Sequence, residues 1–139
     1  MQVRSIQLSD CSSVIELLQT ALSEECFENT MEPFSRQLSW DSDLIVVAEE
    51  DGAIVGALIG TIEKNQGCYF RIAVHPDYRR RGIGRSLVQA MESRFQARKV
   101  GGIYVAVDEH NDPVLPLYEA MGYGENKAFR SVRHLSIVG

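Results

Sequence analysis

The stretch Ile72-Ala73-Val74-His75-Pro76-Asp77-Tyr78-Arg79-Arg80-Arg81-Gly82-Ile83-Gly84-Arg85-Ser86 decides how this 139-residue chain is read. It runs from an apolar strand through a His-Pro-Asp break into an arginine- and glycine-rich turn. A helix opens next, with the stripe Ile83, Leu87, Val88, Met91 and Phe95 at helical spacing. First-turn N–H groups of a helix have no intrahelical partner, and the helix dipole adds partial positive charge there. Gly82 and Gly84 would let an anion approach the backbone without a Cβ in the way, and Arg79, Arg80, Arg81 and Arg85 raise the local potential. The pattern therefore predicts a phosphate cradle of neither common kind. The third glycine of a dinucleotide fingerprint would fall on Leu87, and no Gly-Lys-Ser/Thr follows.

Upstream, residues 2–8 suit an edge strand, and Ser9 or Asp10 can cap a helix carrying Val14, Leu17, Leu18, Ala21 and Leu22. Residues 23–42 are weakly patterned, with a short second helix expected over 32–39. Leu44–Glu49 reads as a buried strand, Asp51-Gly52 as a two-residue turn, and Ala53–Ile62 as the return strand. Asn65-Gln66-Gly67 reads as a further turn before a strand over Cys68–Val74. Downstream come a strand over Ile103–Val107, a polar loop over Asp108–Asp112 and a helix over Pro113–Met121 stopped by Gly122. Two terminal strands are expected near 123–129 and 131–138. A strand, helix, strand unit in the middle implies a parallel pair within an otherwise antiparallel sheet. The fold class is α+β, or mixed α/β, in one domain over 1–139.

The formal net charge is −5, which disfavours nucleic acid. It is unevenly spread: residues 1–50 carry −8 and residues 51–139 carry +3. That asymmetry suits an anionic ligand held on one side and a cationic one on the other. Three cysteines, Cys11, Cys26 and Cys68, include no CxxC pair, so neither a disulfide framework nor a zinc site is expected. No segment resembles a membrane span or signal peptide, which makes the cytoplasm the default expectation and a membrane partner unexpected. His75 reads as structural and His110 as part of a solvated loop, so no metal is expected.

The run from Ile72 to Gly84 resembles the signature of GNAT-superfamily acetyltransferases, an apolar strand ending in V-x-P and then R/Q-x-x-G-x-G/A. A second landmark follows in Asn111-Asp112-Pro113-Val114-Leu115-Pro116-Leu117-Tyr118-Glu119-Ala120-Met121-Gly122-Tyr123. The resemblance covers 44–123 well and the first 43 residues by element order alone. It implies a mostly antiparallel twisted sheet with one parallel, splayed strand pair, flanked by about four helices. It also implies acetyl-CoA as co-substrate. Backbone groups of Ile72, Ala73 and Val74 would hold the pantetheine arm and acetyl carbonyl. The amides of Arg80, Arg81, Gly82, Ile83, Gly84 and Arg85 would hold the pyrophosphate, with Arg79 also in the cofactor site; Asn111 would contact pantetheine, and Tyr118 would sit near the thioester sulfur as the acid. A β-bulge would splay the strand. The resemblance leaves the oligomeric state open, with a homodimer possible.

The reaction so implied is N-acetyl transfer to a primary amine of a small molecule, peptide or protein, by direct attack in a ternary complex. An amine of pKa near 10.4 must first lose a proton. A backbone N–H near Val74 would hold the oxyanion. The chain departs from many family members in having no glutamate on the 68–74 strand. Glu24, Glu25, Glu28, Glu63 or a water relay are the open choices for the base. Arg71 would either face the acceptor, favouring a carboxylate there, or point to solvent. The acidic 1–50 region favours a cationic acceptor. The missing carboxylate also motivates a competing reading, a non-catalytic acyl-CoA sensor or interaction domain.

Overall fold

The computed structural model describes residues 1–123 and the backbone of 129–131. Six strands lie side by side in chain order: β1 (Gln2–Ser5), β2 (Ile45–Glu50), β3 (Ala53–Glu63), β4 (Gln66–Val74), β5 (Gly102–Val107) and β6 (Phe129–Ser131). The first three pairings are antiparallel, and β5 runs parallel to β4. The short β6 also lies parallel to β5, and the remainder of the two expected terminal strands lies outside the described residues. Helices α1 (Cys11–Ala21) and α2 (Glu24–Trp40) cover one face of the sheet, and α3 (Ile83–Ala97) and α4 (Leu115–Ala120) cover the other.

Both faces are therefore buried, and β2 reads as a continuous apolar run rather than an alternating one. Val46 and Ala48 face α3 together with Leu58, Leu87 and Met91. Ile45 and Val47 face α1 and α2 together with Val14, Leu18 and Phe34. The stripe predicted for α3 is the observed one, with Ile83, Leu87, Val88, Met91 and Phe95 all buried. No described helix is long and apolar enough to cross a membrane.

Two local readings of the sequence need correction. The second helix is not confined to 32–39; it spans 17 residues from Glu24. Ser23 caps it, its Oγ accepting from the Cys26 amide at 3.1 Å, and Glu24 and Glu25 suit the positive end of its dipole. Its buried face is Cys26, Thr30, Phe34 and Gln37. Two of those four are polar, so the apolar stripe is broken although the helical spacing holds.

The turn expected at Asn65-Gln66-Gly67 is instead a two-residue hairpin at Lys64-Asn65, where φ is 51° and 62°. Gln66 and Gly67 already belong to β4. Gly67 is a glycine for a packing reason: a Cβ there would lie 2.8 Å from Cγ of Phe95. Gly60 on β3 makes the same allowance, with Met91 Sδ 2.8 Å from its would-be Cβ. Helix α3 can lie close to the sheet because these positions have no side chain.

Candidate active site

The sheet opens beyond Tyr69. The β4–β5 ladder runs from Gln66–Gly102 to Tyr69–Val105 and then ends, although β4 continues to Val74. The cause lies one residue further along. Opposite Ile59 and Gly60 of β3, β4 uses Arg71 and Tyr69, so Phe70 is an extra residue and the strand carries a bulge. A bulge bends its strand and raises the local twist. Arg71–Val74 thus stays bonded to β3 but leaves β5, and one edge of its backbone has no strand partner.

A parting of two strands leaves carbonyls unpaired, which is costly where water is excluded. Asn111 resolves this. Its Nδ2 donates to the Phe70 carbonyl at 2.9 Å and to the Ala106 carbonyl at 2.6 Å, bridging the fork. Asn111 is 3 % exposed. Both amide hydrogens are therefore spent on the protein, and its Oδ1 accepts from Arg71 Nη1 at 2.7 Å. The contact to pantetheine that the family resemblance implies for Asn111 therefore cannot use its side-chain N–H groups in this arrangement.

A cleft of about 560 Å³ occupies the opened space. Ile72, Ala73 and Val74 form one wall, and Pro113, Val114 and Leu117 the other. Arg79 stands at one end. Its Nε donates to the Val74 carbonyl at 3.2 Å and its Nη2 to the Ala21 carbonyl at 3.4 Å. The chain then enters the arginine turn, where Arg80 (φ 62°) and Gly82 (φ 78°) both take the left-handed conformation. Helix α3 starts directly after Gly82, with Ser86 donating the first bond back to the Gly82 carbonyl. The amides of Ile83, Gly84 and Arg85 are left without intrahelical acceptors.

The two glycines differ in role. A Cβ on Gly82 would meet nothing within 4 Å, so its surroundings are open and its φ is the constraint. A Cβ on Gly84 would meet Leu117 Cδ2 at 3.1 Å. The absence of a side chain at Gly84 therefore serves the packing of α3 on α4, while its amide stays free of an intrahelical acceptor. The cradle fits a polyanion: unpaired amides, a dipole end, a left-handed turn and four arginines, of which Arg79, Arg80, Arg81 and Arg85 are in or beside the turn.

Glu109 and His110 line the other end of the cleft with Cys26 of α2 and its cap Ser23. Glu25, Glu109 and His110 each place one polar atom within 4.8 Å of the others. His110 Nε2 lies 3.1 Å from Asn29 Nδ2 and 3.7 Å from Glu109 Oε1. Reading the sequence as a solvated loop missed this residue, because nothing in 108–112 announces that the loop folds against α2. Glu63 is in the hairpin at the far end of β4 and is removed from the cleft. Glu24 and Glu28 are exposed on α2. Among the carboxylates weighed as bases, Glu25 is the one at the cleft mouth.

Arg71 points neither to solvent nor into an open acceptor site. It is 2 % exposed, with its guanidinium 4.6 Å from the Phe70 ring centroid. His75 is structural, as expected: its Nδ1 accepts from the Asp77 amide at 3.1 Å and caps the short turn over Pro76–Tyr78. The structure does not bring Tyr118 to the cleft wall. It is 1 % exposed, its ring 5.3 Å from that of Tyr69, directly behind the lining residues Val114 and Leu117. Burial pushes its hydroxyl pKa well above the ordinary tyrosine value, so it remains protonated.

Comparison with known proteins agrees with this geometry. The pattern of the Acetyltransferase (GNAT) family matches residues 12–123. An acetyltransferase of Pectobacterium atrosepticum is 33 % identical over 123 residues, 88 % of this chain and 87 % of that protein. Among solved structures, the PaiA N-acetyltransferase of Thermoplasma acidophilum in complex with coenzyme A superposes with a TM-score of 0.72 at 20 % identity, over 88 % of this chain and 89 % of that one. A GNAT family acetyltransferase of Brucella melitensis in complex with acetyl-CoA gives 0.72 at 19 % identity, over 88 % and 82 %. The chain belongs to the GNAT family and is an acetyltransferase.

Proposed function

We propose that the chain, as one domain over 1–139, is a cytoplasmic N-acetyltransferase that moves the acetyl group to a primary amine, and that the amine is cationic before it reacts. The observation that carries this reading is the course of the cleft. It starts at the arginine turn, follows the unpaired edge of β4 and ends at Glu109 and His110, with Glu25 at the mouth. A polyanion suits the first end, an apolar arm the middle, and a protonated amine the last.

In this reading the amides of 80–85 and the arginine side chains hold the pyrophosphate. Backbone groups of Ile72, Ala73 and Val74 hold the pantetheine arm and the acyl oxygen. The donor supplies an acetyl thioester. The carbon–nitrogen bond to the amine forms, the carbon–sulfur bond breaks, and CoA leaves as a thiol. Glu25 and Glu109 attract the ammonium form. His110 takes the proton that the amine must lose, directly or through a water. Glu109 Oε1 lies 3.7 Å from Nε2. Tyr118 is the proposed acid for the thiolate: burial keeps its hydroxyl protonated, and donation requires Val114 and Leu117, which lie between it and the cleft, to move aside. Asn111 acts by holding the fork open.

The test is release of free CoA thiol across a panel of lysine-like, neutral and anionic amines, for the wild type, His110→Ala and Tyr118→Phe. Turnover with cationic amines, and a fall in kcat of about a hundredfold for His110→Ala, are expected. Tyr118→Phe should lower kcat with little change in the KM for acetyl-CoA. Turnover confined to neutral or anionic amines would overturn the acceptor assignment. Tight acetyl-CoA binding with no turnover of any amine would make the chain a sensor instead.

A further inference from the structure

We infer that Arg71 is a positioning residue for the acyl-donor cleft. It fixes the turn over 108–111 and, through Asn111, holds β4 and β5 apart. The inference rests on the cleft being the acetyl-CoA site.

A guanidinium buried this completely is stable only if its donors are met. Arg71 Nε and Nη1 donate to groups from separate parts of the chain. Its Nε donates to Thr30 Oγ1 on α2 at 3.0 Å. Its Nη1 donates to Asn111 Oδ1 at 2.7 Å and reaches Asp108 Oδ1 at 3.3 Å. The bulge at Phe70 is what turns Arg71 toward α2 and this turn, and the planar guanidinium stacks on the Phe70 ring.

The consequences run through two atoms. A donor on Asn111 Oδ1 fixes which way the amide faces. With Nη1 on the oxygen, the NH2 group must face the two parted carbonyls. A flipped amide would set carbonyl against carbonyl and NH2 against guanidinium. The second atom is Asp108 Oδ1. Besides Arg71 it accepts from the backbone amides of His110 and Asn111, each at 3.0 Å. One guanidinium thus sets the wedge at the fork and the backbone of the residue that ends the cleft. On this strand the chain carries a buried cation that organises the neighbouring turn.

A fork that forms for only part of the time weakens binding in proportion: if the competent state falls to a tenth, the apparent Kd rises about tenfold. That penalty falls on the acyl-pantetheine half of the donor, because the partners Arg71 holds are Thr30, Asp108, Asn111 and Phe70, none of them on α3 or the arginine turn. The experiment is calorimetric titration of acetyl-CoA, and separately of its nucleotide half, adenosine 3′-phosphate 5′-diphosphate. The proteins are the wild type, Arg71→Met and Arg71→Lys. Arg71→Met should bind acetyl-CoA about tenfold more weakly and the nucleotide half as the wild type does. Arg71→Lys should fall between, since an ammonium can meet one partner but not the fork. Unchanged acetyl-CoA affinity in Arg71→Met would overturn the inference. So would an equal loss of both ligands, which would mark a general effect on the fold. If the wild type binds neither ligand, the assignment of the cleft fails, and amide hydrogen exchange judges the wedge by itself. Faster exchange at His110 and Asn111 in Arg71→Met, with α3 unchanged, supports it; uniform exchange contradicts it.

Discussion

Asn111 Nδ2 lies 2.6 Å from the Ala106 carbonyl and 2.9 Å from that of Phe70, so one side chain closes the gap between two strands that have parted. Replacement with aspartate removes both hydrogens and faces a carboxylate toward two carbonyls. Each buried acceptor left unmet costs about 1–3 kcal/mol. Asn111→Asp should therefore lower stability by about 2–4 kcal/mol, net of any gain in its attraction to Arg71. Urea unfolding should show a lower midpoint at constant slope. An unchanged midpoint would mean that the fork does not need its wedge.

Gly67 lies under the Phe95 ring, with 2.8 Å between a would-be Cβ and Cγ. Gly67→Ala should destabilise by about 1–3 kcal/mol through overpacking. The cause is separable from loss of backbone freedom. In a double-mutant cycle with Phe95→Leu, the alanine should cost measurably less beside leucine. Additive effects would contradict the packing account.

Gly82 and Gly84 should respond differently to substitution. At Gly82 the left-handed φ of 78° is the constraint, and a side chain there would meet open space. Asparagine tolerates that conformation better than alanine or valine. Gly82→Asn should therefore retain more acetyl-CoA affinity than Gly82→Val. At Gly84 the constraint is Leu117, so Gly84→Ala should be relieved by Leu117→Ala. Equal damage from every Gly82 substitution would argue against a conformational cause.

Arg4 holds Asp10 in a two-point pair, Nη1 at 2.7 Å and Nη2 at 3.1 Å, and the Gln7 amide adds a third bond at 2.8 Å. These bonds, that of Arg4 foremost, lower the Asp10 pKa despite its partial burial. A carboxylate whose folded pKa is depressed adds stability above the unfolded value, near 3.9. That stability is lost as pH falls through the folded value. Wild-type stability should fall as pH drops below about 4, and Asp10→Asn should flatten that part of the curve. Parallel curves for the two proteins would remove Asp10 as a cause.

Much of this was legible in the sequence because it is carried by short, local patterns. The stripes of α1 and α3, the Asp51-Gly52 turn and the strand-to-arginine turn each lie within a few consecutive residues. What escaped depends on distant partners. Helix α2 hides because its buried Thr30 is polar, and it is polar because it donates to the Cys26 carbonyl and accepts from Arg71, 41 residues away. Gly67 reads as a turn glycine until Phe95 is seen above it. His110 reads as solvated until Asn29 is seen beside it. The splay was expected from the family resemblance alone. That Phe70 is the extra residue, and that the bulge sends Arg71 toward α2, follows from register, which no local pattern encodes.

The central claim is that the cleft along the open edge of β4 binds acetyl-CoA. Its most direct test is the melting temperature with acetyl-CoA, with ATP and NAD as controls. A ligand that binds only the folded state, at a hundred times its Kd, adds about 2.7 kcal/mol. For a chain of this length that corresponds to a rise on the order of 5–10 °C. The account predicts that rise with acetyl-CoA and not with the controls. No rise with acetyl-CoA, or an equal rise with all three, would contradict it.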